Sequence, residues 1–323
     1  MLEVKDLKVH FPVSRGGLFS KETRFVKAVD GVNFDLKPGE TLGLVGESGC
    51  GKSTTARAIM QLIEASGGSI KLDGQELMGL TGSQLNKVRQ QIQMVFQNPF
   101  SSLNPRMTIA EVLSEPLKSL TSFNNKQRLD RIQYLMEVVN LNPKFLFRYP
   151  HEFSGGQRQR INIARALAVE PQIVVLDEPV SALDVSIQAQ IINLLQDLQK
   201  QFGLSYLFIA HDLSVVKTLS HRVAVMYLGK IVEIGDTAMV YDEPQHPYTQ
   251  ALLSAVPIPD PKRERERRRM LLTGEIPSPI NLLRGCSFNP RCPKVFARCR
   301  EESPILEPKT ATSKASCHAV ASL

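Results

Sequence analysis

The sequence predicts an α/β fold built on a parallel β-sheet. Segments with strand patterns alternate with helical patterns along most of the 323 residues, an order typical of parallel sheets flanked by helices. The short apolar run Ile173–Leu176 and the segment Ser205–Ala210 suit strands that are buried on both faces. A glycine-rich loop between a strand pattern and a helix pattern is the third observation that favours this class.

That loop, residues 46–53, reads Gly-Glu-Ser-Gly-Cys-Gly-Lys-Ser and matches the phosphate-loop template. Glycines allow a tight turn whose backbone N–H groups converge on phosphate oxygens, and the N-terminus of the next helix favours the same anion. Lys52 can reach the outer phosphates, and the Ser53 hydroxyl can bind Mg²⁺. The alternative is a glycine-rich turn that binds nothing. The nucleotide-binding candidates of this stretch are Gly46, Ser48, Gly49, Cys50, Gly51, Lys52, Ser53 and Thr54.

Strands predicted in the first hundred residues are bounded by turn residues. They are residues 1–13, Val26–Leu36, the strand before the loop, Ser69–Leu72 with its Asp-Gly turn, and Gln91–Phe96. Residues 14–25 predict an exposed loop. The helix that starts at Lys52 is expected to continue to about Glu64.

The rest of the chain follows the same alternation. Residues 108–168 are mostly helical in pattern, with breaks near Pro143 and Pro150. The amphipathic segment Ala189–Phe202 predicts a helix closed by a glycine, and residues 223–234 predict a hairpin.

Composition excludes several classes of protein. A hydrophobic content of 42% excludes a disordered chain. The net charge of +7, from 39 basic and 32 acidic residues, suits nucleic acid, anionic lipid and phosphate ligands equally. The N-terminus does not resemble a signal peptide, and no stretch approaches the length of a membrane span, so we expect a soluble, cytoplasmic protein.

A carboxylate pair, Asp177-Glu178, follows the apolar strand at the edge where open α/β sheets bind ligands. Asp177 fits a Mg²⁺ ligand, and Glu178 fits a base that polarises the attacking water. The alternative is an acidic helix cap. His211 follows the next buried strand and is expected to contact a γ-phosphate at the same edge, unless it is structural.

A second glycine turn opens a helix at Ser154, Gly155, Gly156 and Gln157. Backbone N–H groups at such a turn can bind an anion. A plain N-cap with flexible glycines is the alternative.

Taken together, residues 2–256 resemble the ATP-binding subunits of ABC transporters. The resemblance implies a P-loop NTPase core of the RecA type, with an antiparallel β subdomain and a helical subdomain at about 100–168. The motifs follow the family's order: the phosphate loop, Gln97 as Q-loop, Phe153–Gln157 as signature, Ile173–Glu178 as Walker B, Ser181–Asp184 as D-loop and His211 as switch histidine. The signature begins with Phe153 where leucine is commoner. Phe11 matches the aromatic that stacks on adenine, although strand aromatics more often fill cores.

The stretches Phe96–Pro105 and His246–Leu253 resemble the oligopeptide/dipeptide importer branch, and Tyr227–Gly229 resembles its F-type subunit. This resemblance implies ATP hydrolysis at the cytoplasmic face of the inner membrane, coupled to di- or oligopeptide import. Nickel, glutathione or antimicrobial peptides are other cargoes of the branch. Two other classes of function stay open. One is a soluble ABC ATPase that acts on nucleic acid or ribosomes, and the other is a regulatory nucleotide-binding module without ATP turnover.

The resemblance also implies cofactors and partners. ATP would bind with Mg²⁺ held by Ser53, Gln97 and Asp177, while Glu178, His211 and Gln97 act in hydrolysis. A second ATPase subunit, expected as a heterodimer partner, would receive the Ser154–Gln157 turn over its own ATP. Two membrane-spanning permease subunits and an extracytoplasmic binding protein complete the expected assembly, and nucleic acid is not expected.

The last part of the chain has its own composition. Residues 257–270 are rich in proline and arginine and predict a linker, although their basic run could also meet an anionic membrane surface. The extension 271–323 holds Cys286, Cys292, Cys299 and Cys317. Four thiolates can bind a [4Fe–4S] cluster or zinc, or remain reduced thiols, and His318 is a substitute ligand. Some members of the importer branch carry such a cluster at matching positions.

Overall fold

The computed structural model describes residues 1–14, 23–257, 270, 272, 274–275, 277–280 and 284–323. The strands are β1 (Leu2–Ser14), β2 (Thr23–Leu36), β3 (Thr41–Val45), β4 (Gly67–Leu72), β5 (Gln75–Glu76), β6 (Ile92–Val95), β7 (Ile173–Asp177), β8 (Ser205–Ile209), β9 (Arg222–Tyr227), β10 (Lys230–Asp236), β11 (Glu307–Pro308) and β12 (Ser313–Ala315). The helices are α1 (Lys52–Ile59), α2 (Gly82–Gln91), α3 (Ile109–Leu120), α4 (Asn125–Val138), α5 (Gly155–Leu167), α6 (Val185–Phe202), α7 (Leu213–Leu219), α8 (Thr237–Asp242), α9 (Pro247–Ala255) and α10 (Ala297–Glu301).

The chain forms two compact units. The first comprises Met1, Leu36–Thr41 and Leu77–Ile209, and the second comprises Leu2–Asp35, Leu42–Glu76 and Ala210–Leu323. The predicted linker at 257–270 lies largely outside the described residues, as does most of the predicted loop at 14–25. The described ends of that loop, residues 14 and 23–25, belong to β1 and β2, so the loop prediction was wrong there.

In the first unit, β6, β7 and β8 form a parallel array. Ile92 pairs with Ile173 at one end, and Asp177 pairs with Ile209 at the other. Every residue of β7 and β8 is buried, which is why both segments are apolar-rich in the sequence. The parallel sheet and the alternating order confirm the predicted α/β class.

Helices α3, α4 and α5 pack against one another in the same unit. Both α3 and α4 begin with a capping box, in which Thr108 pairs with Glu111 and Asn124 pairs with Gln127. Helix α6 ends at Phe202 and is capped by Gly203, whose φ of 66° is the left-handed conformation that the predicted glycine cap requires.

In the second unit, β3 pairs in parallel with β9, and β9, β10, β12 and β11 continue as antiparallel neighbours. The predicted hairpin is confirmed, since Tyr227 pairs with Lys230. A separate antiparallel sheet has the order β2-β1-β4-β5. Helix α1 ends at Ile59, earlier than predicted, because Gln61 takes a left-handed conformation with φ 52°.

Within the described ranges, no helix is both long enough and apolar enough to cross a membrane.

Candidate functional site

The phosphate loop follows the buried strand β3 and turns into α1 through two glycines that no other residue could replace without strain. Gly46 has φ 151°, and a Cβ there would lie 2.1 Å from the Met226 carbonyl oxygen. Gly51 caps α1 with φ 108°, and a Cβ there would lie 2.1 Å from the Ala28 carbonyl oxygen. The loop is therefore pressed against neighbouring backbone on both sides, which fixes its curvature.

Lys52 is the first residue of α1 and is only 5% exposed. Its ammonium donates hydrogen bonds to the carbonyl oxygens of Gly46, at 2.8 Å, and Glu47, at 3.0 Å. The lysine side chain thus folds back onto the loop, and its ammonium lies against the backbone carbonyls at the start of the loop. This is the position from which an ammonium can bind a phosphate.

The other candidates of the loop differ in exposure. Ser48 and Gly49 form its exposed tip, whereas Ser53 and Thr54 are half-buried on the first turn of α1. The Cys50 thiol is buried, and its burial raises the pKa although Lys52 acts in the opposite direction. The Cys50 carbonyl accepts a hydrogen bond from the Gly229 amide at 2.9 Å. Cys50 is therefore a neutral packing residue of the loop rather than a thiolate.

Glu47 has two partners that the sequence did not suggest. Its backbone amide donates to the Tyr248 hydroxyl at 2.9 Å, and its carboxylate accepts two hydrogen bonds from the Arg291 guanidinium. Tyr248 belongs to α9, and Arg291 lies in the C-terminal extension. The sequence gives one hint of this contact. Glu47 is an acidic residue in a loop that binds anions, and a neighbouring cation would offset its charge.

In the first unit the structure brings Gln97 and Glu178 together. The Gln97 side-chain amide donates to the Glu178 carboxylate at 2.9 Å. Asp177, at the end of β7, is 2% exposed. Glu178 has φ 48°, and its amide donates to the Ile209 carbonyl at 2.9 Å. The strained backbone directs the second carboxylate out of the strand, a conformation that non-glycine residues keep chiefly at functional sites.

His211 belongs to the second unit and directly follows the end of the strand pattern. The preceding Ala210 amide donates to the Leu44 carbonyl at 3.4 Å, and the His211 side chain is exposed. Phe11, in β1, is 42% exposed. The alternative that Phe11 fills the core is therefore wrong.

The signature turn opens α5 as predicted. The Ser154 hydroxyl accepts from the Gln157 amide at 3.3 Å, and the Gln157 side chain accepts from the Ser154 amide at 3.0 Å. A Cβ on Gly156 would lie 2.6 Å from the Ile187 side chain. Phe153 is buried, edge-to-face with Phe145 at 6.2 Å. The phenylalanine that replaces the commoner leucine at position 153 therefore serves packing. Ser154 does act as the N-cap of α5.

The four cysteines of the extension are free thiols. Burial raises the pKa of Cys286 to about 11, and the neighbouring thiols Cys292, Cys299 and Cys317 add to that shift. The donor set therefore has the right chemistry and gathers in one region. In the part of the chain that the structure describes, however, no group of three or more His, Cys, Asp or Glu side chains is arranged to hold a metal ion. The arrangement of these side chains therefore gives no support of its own to the predicted cluster or zinc.

Comparison with known families gives two matches. Residues 29–181 match the family described as ABC transporter. Residues 232–299 match the family described as oligopeptide/dipeptide transporter, C-terminal region.

Curated relatives match nearly the whole chain. The oligopeptide transport ATP-binding protein OppF of Salmonella typhimurium is 55% identical over 309 residues, covering 95% of this chain and 92% of the relative. The oligopeptide transport ATP-binding protein AppF of Bacillus subtilis is 51% identical over 319 residues, covering 98% and 97%. The dipeptide transport ATP-binding protein DppF of Haemophilus influenzae is 51% identical over 310 residues, covering 96% and 94%.

Solved structures agree with the fold. The ATP-binding cassette MJ0796, in a dimeric post-hydrolysis state bound to ADP and Pi, superimposes with a TM-score of 0.64 at 28% identity. The match covers 73% of this chain and 99% of that one. The cbiO1 protein of Clostridium perfringens, part of the cbiONQ ABC transporter complex, gives a TM-score of 0.64 at 26% identity, covering 75% and 90%.

Proposed function

This chain belongs to the ATP-binding subunits of ABC transporters, in their oligopeptide/dipeptide branch, and on that premise we propose that it hydrolyses ATP to drive the import of di- and oligopeptides. The observation that carries the proposal is the hydrogen bond between Gln97 and Glu178, because it supports a hydrolytic site that is intact rather than degenerate. The names of the relatives, which refer to oligopeptide and dipeptide transport, support the peptide cargo.

Each residue of the nucleotide site has a proposed task. Lys52 and the loop amides, from Gly46 to Ser53, bind the phosphates, and Phe11 stacks on adenine. Ser53, Asp177 and Gln97 hold Mg²⁺, which when bound neutralises charge on the phosphates. Glu178 polarises the attacking water, oriented by the Gln97 amide, and His211 contacts the γ-phosphate.

The proposed assembly contains a second ATPase subunit. The Ser154–Gln157 turn, with the N-terminus of α5 behind it, serves the ATP of that partner, which we expect to be a different chain. Two membrane-spanning permease subunits and an extracytoplasmic binding protein complete the transporter, and the ATPase lies peripherally on the cytoplasmic face of the membrane.

A strain that lacks the gene tests the cargo. We expect loss of uptake of labelled di- and oligopeptides, restored by the wild-type gene and not by Glu178→Gln. Nickel and glutathione uptake measured side by side distinguish the other cargoes of the branch. Unchanged peptide uptake with loss of one of these would overturn the peptide proposal while leaving the ATPase intact.

For the extension we propose a [4Fe–4S] cluster on the four cysteines, with zinc as the alternative. The chemistry of the donor set supports it, and the arrangement of the side chains does not, so no step of the mechanism uses the cluster. Anaerobic purification followed by iron, sulfide and zinc analysis tests it. Iron and sulfide support the cluster, stoichiometric zinc supports the alternative, and protein without either overturns both.

A further inference from the structure

An ion pair that is largely shielded from solvent joins the C-terminal extension to the phosphate loop. The Arg291 guanidinium donates to both carboxylate oxygens of Glu47, at 2.8 and 3.1 Å. Arg291 is 8% exposed and the Glu47 side chain is 25% exposed. Two-point pairing of this kind fixes geometry as well as charge, and breaking a buried pair leaves an uncompensated ion behind.

Every polar group of Glu47 is engaged. Its amide donates to the Tyr248 hydroxyl, and its carbonyl accepts from the Lys52 ammonium at 3.0 Å and from the Cys50 amide at 3.3 Å. The residue that receives support from Arg291 is thus the residue that helps to orient the phosphate-binding lysine.

Aromatic packing supports the same corner of the loop. The Phe288 ring, from the extension, lies 5.5 Å from Tyr248 and 5.3 Å from Tyr227. Phe288, Tyr227 and Tyr248 are fully buried. The extension therefore contributes two things near the loop: an aromatic side chain that packs against Tyr248 and Tyr227, and the cation that pairs with Glu47.

The charge of Glu47 explains why a cation is needed there. A carboxylate inside a loop that binds phosphates opposes its ligand, since like charges repel. Arg291 compensates that charge through its two hydrogen bonds to the Glu47 carboxylate, and a guanidinium stays protonated at any physiological pH.

We propose that Arg291 is a positioning residue of the nucleotide site, through which the C-terminal extension sets the affinity of the phosphate loop for ATP. It acts by neutralising Glu47 and fixing its orientation, without touching the nucleotide. The inference rests on the proposed ATP-binding function.

The test is binding of a fluorescent ATP analogue with Mg²⁺ to the full-length chain. We expect Arg291→Met to weaken binding about tenfold, the order of effect that one unpaired charge near a phosphate produces. Adding Glu47→Gln to Arg291→Met should return affinity to within about threefold of the wild type, because the unpaired carboxylate is then gone. Arg298→Met is the matched control, since Arg298 belongs to the extension and pairs with Glu302 at 2.8 Å on an exposed helix.

Wild-type affinity in Arg291→Met, or a double variant as weak as Arg291→Met, would overturn the inference. If Arg291→Met does not fold, Glu47→Gln alone decides the matter: we expect binding at least as tight as the wild type, and weaker binding would overturn the charge argument. Lys52→Ala distinguishes a failure of the proposed ATP-binding function from a failure of the role proposed for Arg291. A wild type that binds no more analogue than Lys52→Ala overturns the ATP-binding function and this inference with it.

Discussion

The side-chain amide of Gln97 lies 2.9 Å from the carboxylate of Glu178 and donates a hydrogen bond to it, across 81 positions of sequence. The two residues follow the neighbouring parallel strands β6 and β7, whose C-terminal ends therefore meet at one edge. Glu178 keeps its left-handed φ of 48° there, and its backbone is held by the hydrogen bond to Ile209. Strand pairing, rather than a local motif, thus brings the amide to the carboxylate.

Glu178→Gln should bind ATP normally and lose at least about 100-fold in turnover, because the amide keeps the shape of the side chain but cannot accept a proton from water. ATPase activity of the assembled transporter and equilibrium binding of an ATP analogue measure the two effects separately. Glu64→Gln, at an exposed position, is the control and should leave both unchanged. Near-normal turnover in Glu178→Gln would contradict the role given to this residue.

Gly51→Ala should lower the free energy of unfolding by about 3 kcal/mol, because the new methyl group meets the Ala28 carbonyl in a backbone conformation that disfavours side chains. Gly49→Ala is the matched comparison in the same loop. Its φ is also positive, at 78°, but a Cβ there meets nothing within 4 Å, so we expect a loss of about 1 kcal/mol. Urea unfolding of the three proteins checks the order, and equal losses would show that close approach of the backbone does not constrain the loop.

The sequence predicted the strands around the site well for a physical reason. Strands β7 and β8 are buried on both faces, so their apolar runs end within a residue of the observed strands. The predicted length of α1 was wrong, because the left-handed conformation of Gln61 leaves no mark on the helical pattern.

The contacts that hold the phosphate loop in place could not be predicted from the sequence. Glu47 and Arg291 are 244 positions apart, and neither belongs to a motif that implies the other. The extension also packs against Tyr248 of α9 through Phe288, a contact that only the three-dimensional structure shows. The same limit holds for the short helix α7, whose seven residues carry too little periodicity to predict.

Ser154→Ala should cost about 1 kcal/mol of stability, since it removes the hydroxyl that caps α5. In the assembled transporter we also expect ATPase activity to fall about tenfold or more, because the hydroxyl would contribute to the partner's ATP site. Thr108→Ala removes the same kind of cap from α3 and is the matched control. Comparable ATPase activities in the two variants would mean that Ser154 is an N-cap and nothing more.

His246→Asn should reduce the sensitivity of the fold to mild acid. His246 is 1% exposed, and its Nδ1 accepts from the Tyr248 amide at 3.1 Å. Burial lowers the pKa of His246 to about 3, whereas the unfolded histidine titrates near 6.5. The unfolded state therefore binds more protons below pH 6.5. The free energy of unfolding is therefore at its full value above that pH and falls progressively as the pH drops towards 3.

Between pH 7 and pH 5 the histidine alone should cost the wild type about 2 kcal/mol of unfolding free energy. Asparagine retains a side-chain acceptor for the Tyr248 amide but does not titrate, so its loss over the same interval should be smaller by that amount. The buried Glu233 carboxylate accepts from the His246 amide at 2.8 Å, and burial raises its pKa, which acts in the opposite direction. Because Glu233 is present in both proteins, its effect cancels in the difference between their urea unfolding curves. Equal losses in both proteins would show that His246 is not the acid-sensitive group of the fold.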